Sequence, residues 1–192
     1  MVHNRDDLLG KLRALLGPKG FSTDPDALAP HLADWRDHYH GRAAALLSPA
    51  TTDEVAAVVG LCAEAGAPLV PQGGNTSMVG GATPDGSGEA LVLSTRRLNR
   101  IRSLDGAAGI AVCEAGVILA NLHEAALAVG RRFPLTLGAR GSATIGGLVS
   151  TNAGGTQVLR FGPMRSLVLG LEAVLPDGSL FEGLTALKKD NR

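Results

Sequence analysis

The chain has 192 residues and a mass of 19.6 kDa, room for one substantial core or two small lobes. Eighteen basic and eighteen acidic residues cancel to a formal charge of zero, which argues against a nucleic-acid surface, a membrane patch or an acidic tail. Twenty-six glycines exceed the ordinary frequency of about 7% without a collagen period, so special backbone geometry is the better account of them.

Cys62 and Cys113 sit in apolar segments and read as buried free thiols of a reducing compartment. The N-terminus lacks an apolar signal core, and no run reaches the roughly 18 apolar residues needed to span a bilayer. The expectation is a cytoplasmic chain with no transmembrane segment.

Leu8, Leu9, Leu12, Leu15 and Leu16 recur at helical spacing and predict an amphipathic helix over 7–16, ended by Gly17-Pro18 and placed at an edge. Residues 21–41 read as irregular. His31, His38 and His40 with Asp34 and Asp37 can be drawn as a metal site, but their spacing matches no standard ligand set. A solvated loop whose Trp35 and Tyr39 pack on a neighbour is the better reading.

A short apolar strand is expected over 43–47. Thr51 with Glu54 forms a capping box, Val55, Val58, Val59 and Cys62 make the buried stripe of the helix behind it, and Gly66 stops it. Leu69-Val70 follows as a strand. The strand-helix-strand order predicts a parallel pair with a right-handed crossover.

At the carboxyl end of that second strand the sequence runs Pro71-Gln-Gly-Gly-Asn-Thr-Ser-Met-Val-Gly-Gly81. Open α/β sheets place ligands there. Backbone amides of such a turn can point into one concavity without a Cβ in the way, which suits a phosphate or pyrophosphate. A tight surface turn without a ligand is the competing reading. The P-loop and Gly-x-Gly-x-x-Gly patterns are both missing from it.

Downstream, 89–95 is a third apolar run, and Asp105-Gly106 joins a hairpin between 101–104 and 110–114. Residues 118–129 are strongly helical, with Gly130 as the cap. His123-Glu124 on that helix reads as solvated face. Thr144-Ile-Gly-Gly147, Thr151-Asn-Ala-Gly-Gly155 and Arg160-Phe-Gly162 form a low-charge glycine ribbon, poor helix or strand material, against which a ligand could lie. Residues 168–181 read as a hairpin around Pro176-Asp-Gly178, and 187–192 form a polar end without a closing element.

No segment marks a nucleophile-base pair, a glycosidase carboxylate pair or a Cys/His metal cluster. The polar inventory suits holding something, so a bound cofactor rather than side chains is expected to do the chemistry.

The 71–81 loop, Phe133-Pro-Leu-Thr-Leu-Gly138, Gly141-Ser-Ala-Thr-Ile-Gly-Gly147, Thr151–Gly155, Arg160–Gly162 and Val168–Gly178 resemble, in order, the vanillyl-alcohol-oxidase/PCMH-type FAD-binding domain. The nearest branch is the FAD-linked dehydrogenases of D-2-hydroxy acids such as D-lactate and D-2-hydroxyglutarate. The resemblance implies an α+β fold of two α/β subdomains with FAD extended between them. The expected divisions are an N-terminal helical and irregular segment (1–45), a first subdomain (46–105) carrying the pyrophosphate loop, and a mainly antiparallel second subdomain (106–192).

Carried over by position, Pro71 and Gln72 are cofactor contacts at the opening of the loop, and Gly73, Gly74, Asn75, Thr76 and Ser77 would cradle the pyrophosphate. Gly80 and Gly81 shape its return. Pro134, Leu135, Thr136 and Gly138, with Ser142, Gly146, Gly147, Thr151 and Asn152, would line the ribityl and flavin ring, and Gly162 would let the chain pass close by. Ser77-Met78 stands where the family most often has Gly-Leu, and Phe161 stands where Tyr is common. Asn75 occupies the region of the histidine that tethers flavin in some relatives, so FAD is expected to be non-covalent.

The implied activity is hydride transfer from the alpha carbon of a D-2-hydroxy acid to flavin N5. No catalytic or metal-ligating residue is assigned. In the family a cap and further flavin contacts follow Lys189-Asp190-Asn191, so the chain resembles the C-terminally incomplete front of such an enzyme, inactive alone. A non-catalytic flavin module, a subunit completed by a partner chain, and a glycine-rich structural domain are the rival readings. An exposed sheet edge would favour self-association or a partner chain.

Overall fold

The computed structural model describes residues 2–185; the polar end at 187–192 lies outside the described residues. The chain divides into two units, one of Met1–Arg97 with Ala173–Phe181 and the other of Leu98–Glu172 with Glu182–Arg192. This differs from the division expected at 105/106 and from a separate N-terminal segment. The hairpin around Asp105 pairs with itself and so falls wholly in the second unit.

In the first unit, α1 (Val2–Gly20) runs past the expected stop, but Gly17 breaks it with a left-handed φ of 63° immediately before Pro18. It is not an edge element. Leu8, Leu12 and Leu16 are buried in one core cluster with Phe21, Leu47, Val58, Cys62, Leu91 and Leu93. Burying a leucine contributes roughly 1.5–3 kcal/mol relative to leaving it exposed, enough for three of them to hold the helix on the sheet.

The region read as irregular contains β1 (Phe21–Ser22), α2 (Pro25–Leu28) and a 3-10 turn at Ala29–His31. Asp24 caps α2 through the Asp26 amide, and Pro25 supplies the preset φ of a first helical residue. β2 (Ala45–Leu47) precedes α3 (Thr52–Ala65). The Thr51 hydroxyl accepts from the Glu54 amide at 3.1 Å, and the Glu54 carboxylate reaches back to the Ala50 amide at 2.6 Å. Gly66, left-handed at φ 64°, ends the helix. Val58 and Cys62 are buried on it, whereas Val55 and Val59 are partly buried.

β3 (Leu69–Gln72) and β4 (Leu91–Ser94) complete a sheet ordered β1-β2-β4-β3. β2 and β3 are therefore not neighbours: β4 stands between them, parallel to both, with Leu91 opposite Ala45 on one side and Leu69 on the other. All four β4 residues are buried, as suits a parallel strand covered on both faces. Pro71 is tolerated because β3 is an edge strand.

In the second unit, β5 (Ile101–Asp105) and β6 (Ile110–Cys113) form the expected antiparallel hairpin, with a register shift between Ile101 and Ser103. Arg100 grips buried Glu114 through its backbone amide at 2.8 Å and its guanidinium at 2.8 and 3.0 Å. α4 (Leu119–Ala128) packs Leu119 and Leu122 into a core with Val117, Leu135, Ile145, Leu148 and Met164.

The glycine ribbon is more helical than its composition suggests: α5 (Ile145–Ser150) and α6 (Val158–Phe161) occupy it, and α7 (Met164–Leu167) follows directly. Ile145, Leu148 and Met164 each bury a side chain, and this tertiary gain overrides weak glycine propensity.

β7 (Leu171–Val174) and β8 (Leu180–Gly183) form the last hairpin. Its tip returns to the first unit, where Gly178 lies against the α3 backbone at Ala56 and Gly60.

Candidate functional site

In the first unit, the 71–81 loop leaves the carboxyl end of β3. Asn75 (φ 53°) and Gly80 (φ 70°) carry its left-handed backbone. Among the described residues, the backbone N–H groups from Gly73 to Met78 donate to no protein acceptor. The loop's own bonds lie further on, where the Val79 amide reaches Ser77 Oγ at 3.5 Å and the Thr83 amide meets the Gly80 carbonyl at 3.0 Å. A run of unspent amides on partly buried backbone is a donor set suited to an anion.

The loop's side chains are used unequally. Gln72 is 1% exposed and is consumed inside the protein. Its Nε2 donates to the His31 carbonyl at 3.1 Å and the Ala82 carbonyl at 2.7 Å, which fixes its Oε1 toward His31 Nδ1. Gln72 was expected among the cofactor contacts; its side chain instead pins both ends of the loop's surroundings. Asn75 likewise donates to Ala33 O at 2.8 Å and Pro30 O at 3.4 Å, while its buried Oδ1 has no partner. Pro71 and Gly81 are exposed, and Thr76 and Ser77 are partly buried.

The residues drawn above as a metal set have other tasks. His31 is buried against Gln72, and burial lowers its pKa. Asp34 accepts from the amides of Tyr39 at 2.7 Å, His38 at 2.8 Å and Arg36 at 3.2 Å, and these bonds, the Tyr39 bond foremost, hold its carboxyl below its ordinary range. His40 meets Asp37 on the exposed side of the turn.

In the second unit, residues 115–120 and 139–146 zip together. Leu119 N donates to Ala143 O, Ile145 N to Val117 O and Gly146 N to Ala115 O. The first amides of α5 are thus spent on protein. Gly146 is required by that contact, since a Cβ there would stand 2.7 Å from Ala115 Cβ. Leu135, expected to line a ligand, is 1% exposed and belongs to the core. Its carbonyl is held by His123 Nε2 at 2.8 Å, so His123 is a partly buried brace rather than solvated face.

Thr136 receives the Thr156 amide at 2.9 Å. Asn152, left-handed at φ 50°, uses Oδ1 to cap α7 at the Arg165 amide. Thr151 returns its hydroxyl to Gly147 O, and Gly162 ends α6 at φ 78°. Pro134 is partly buried, Ser142 and Gly147 are exposed, and Gly138 has open space where a Cβ would stand. Thr144 belongs to the glycine ribbon but not to the expected cofactor contacts. It is 4% exposed and its Oγ1 has no partner. Its only sequence signal was its place before Ile145-Gly146-Gly147.

An α+β chain of two units, with a donor-rich loop after a parallel strand in one and a glycine-lined segment in the other, has the build of a dinucleotide-holding domain. Residues 43–183 match the FAD binding domain family, and the chain belongs to that family. The fold is of the PCMH type: the solved p-cresol methylhydroxylase superposes with a TM-score of 0.76 over 94% of this chain and 35% of its own, at 20% identity. An alkyldihydroxyacetonephosphate synthase superposes at 0.83 over 92% of this chain and 34% of its own, also at 20% identity.

In sequence, the chain is 45% identical to the D-2-hydroxyglutarate dehydrogenase of Bos taurus over 99% of its length. It spans about a third, 34%, of that relative. The chain is thus an FAD-binding domain homologous to D-2-hydroxy acid dehydrogenases, consistent with a non-covalently held FAD. The expected cytoplasmic placement is corrected by these relatives: the dehydrogenases of Bos taurus, Danio rerio, Arabidopsis thaliana and Rattus norvegicus are all named as mitochondrial. Among the described residues no helix is long and apolar enough to cross a membrane.

Proposed function

We propose that this chain holds FAD for the oxidation of a D-2-hydroxy acid, with the 71–81 loop receiving the pyrophosphate. The observation that carries the reading is the run of unspent backbone amides from Gly73 to Met78. Those amides fit an anion of two linked phosphates, because each offers a donor without a competing side-chain charge. Asn75 Oδ1 and Thr144 Oγ1, buried without partners, fit the polar edges of a bound dinucleotide in their respective units.

FAD bound there supplies the acceptor for the hydride leaving the substrate's alpha carbon. The chain's own residues bind and orient. Gln72 and His31 fix the start of the loop, Asn75 fixes its bend, and Gly138 and Gly147 leave backbone open to a planar ring. In this reading the 71–81 loop is the phosphate site, and the ribityl and flavin-ring contacts expected of Pro134, Leu135, Thr136, Gly138, Ser142, Gly146, Gly147, Thr151 and Asn152 stay part of the proposal. The D-2-hydroxy acid is supported by the dehydrogenase relatives alone.

Titration of the purified chain with FAD, read by the flavin's visible absorbance and fluorescence, tests this. Saturable binding released by denaturation is the expected result. A folded, monodisperse chain that takes up no FAD would overturn it.

A further inference from the structure

The segment Pro30–His40 lies ahead of residues 43–183 that match the family, yet it touches the loop at successive points. Asn75 Nδ2 reaches the Ala33 carbonyl at 2.8 Å. Trp35 Nε1 donates to Met78 Sδ at 3.2 Å. The Tyr39 ring lies under Gly80, where an added Cβ would stand 2.8 Å from Tyr39 Cδ2. Asp34, 5% exposed, holds the turn that carries both aromatics by accepting three of its amides.

We propose that Trp35 and Tyr39 form a clasp on the tip of the loop, and that this clasp sets the loop's affinity for the FAD pyrophosphate by keeping its amides ordered before the cofactor arrives. Neither ring is a core anchor, since Trp35 is 60% and Tyr39 49% exposed. Besides the Arg36 guanidinium, 5.7 Å from the centre of the Trp35 ring, the two rings meet Met78 and Gly80. The loop needs such support: its amides make few internal bonds, and fixing each residue's backbone costs roughly 1–2 kcal/mol. Ordering that is already in place is not charged against binding. A thioether is a weak acceptor, but an indole N–H over it gives direction as well as contact.

The consequence for affinity rests on the FAD reading above, and the test separates the two. Backbone 15N relaxation of the ligand-free 192-residue chain is compared for wild type, Trp35→Ala, Tyr39→Ala and Tyr39→Phe, alongside FAD titration and urea unfolding. In wild type, residues 78–80 should show order parameters near the rigid value of about 0.85, falling below about 0.6 in the alanine variants. FAD affinity should weaken about ten-fold in those variants with the urea midpoint little changed. Tyr39→Phe, which keeps the ring, should match wild type in all three.

Unchanged order at 78–80 in both alanine variants overturns the clasp, as does lost order with unchanged FAD affinity. A wild-type chain that takes up no FAD sinks the preceding reading instead, and the ligand-free relaxation still decides whether the clasp exists.

Discussion

Gln72 at the end of β3 and His31 in the 3-10 turn face each other inside the first unit, Nδ1 to Oε1 at 2.5 Å, although 41 positions separate them in the chain. The two carbonyls that take the Gln72 amide protons leave its oxygen free to accept, so His31 carries its proton on Nδ1. Replacing Gln72 with Leu would strand the His31 donor and the His31 and Ala82 carbonyls, the first two of them buried. Each buried group left unpaired costs roughly 1–3 kcal/mol. The expected outcome is a loss of about 3 kcal/mol in urea unfolding, with weakened FAD uptake because the loop's start is no longer pinned.

His31 also sets a pH dependence. Burial, with a smaller contribution from the charge of Arg96, lowers its pKa below the ordinary 6.5, and the Gln72 bond only partly offsets this. Below pH 6.5 the unfolded chain therefore binds a proton that the folded chain does not, so folding stability falls as pH drops through that value toward the depressed one. Above 6.5 the contribution is fully present. Urea midpoints measured across this range should show the decline, and His31→Asn should flatten it. A separate loss is expected further down, below the ordinary 3.8 of Asp34, as protonation releases the amides of Tyr39, His38 and Arg36.

Gly146 and Ala115 predict a reciprocal pair. Gly146→Ala places a methyl 2.7 Å from the Ala115 Cβ and 3.0 Å from its carbonyl oxygen, an overpacking worth roughly 1–3 kcal/mol. Adding Ala115→Gly should recover part of the loss, leaving the backbone share. The double-mutant cycle measured by thermal unfolding gives the coupling directly.

Leu12, fully buried between α1 and the sheet, tests whether the N-terminal helix belongs to the core. Leu12→Ala should cost roughly 2–5 kcal/mol. An edge helix would lose a fraction of that.

The hairpin tip offers a further check. Leu175, Leu180 and Phe181 are 42%, 40% and 51% exposed. Sedimentation velocity over a concentration series should show reversible self-association that Phe181→Lys suppresses.

Much of this was legible where chemistry is local. The Thr51 cap, the Gly66 stop, the Asp105-Gly106 turn and the position of the 71–81 loop after a strand each follow from a few adjacent residues. What was not legible depends on contacts between distant segments. Nothing near residue 92 says that β4 will separate β2 from β3, because strand order is decided by which apolar run can be covered on both faces. Gln72 read as a ligand contact because its partner His31 lies far upstream. Gly146 and Leu135 stand in a family-like stretch, and their packing, Gly146 against Ala115 and Leu135 in the core, depends on segments that no local pattern joins. Thr144 stands out from the rest of its ribbon only through an unpartnered hydroxyl, which is defined by burial and which a single sequence does not display.

The return of Ala173–Phe181 to the first unit carries a consequence for synthesis on the ribosome. The first unit does not exist as a continuous stretch of chain. Its sheet can pair once residue 94 has emerged, but the α3 surface at Ala56 and Gly60 waits for Gly178. At about 5–20 residues per second, the interval is several seconds. During it the nascent chain shows an incomplete surface to whatever is nearby, and a stop codon placed at the 97/98 boundary would make that interval permanent.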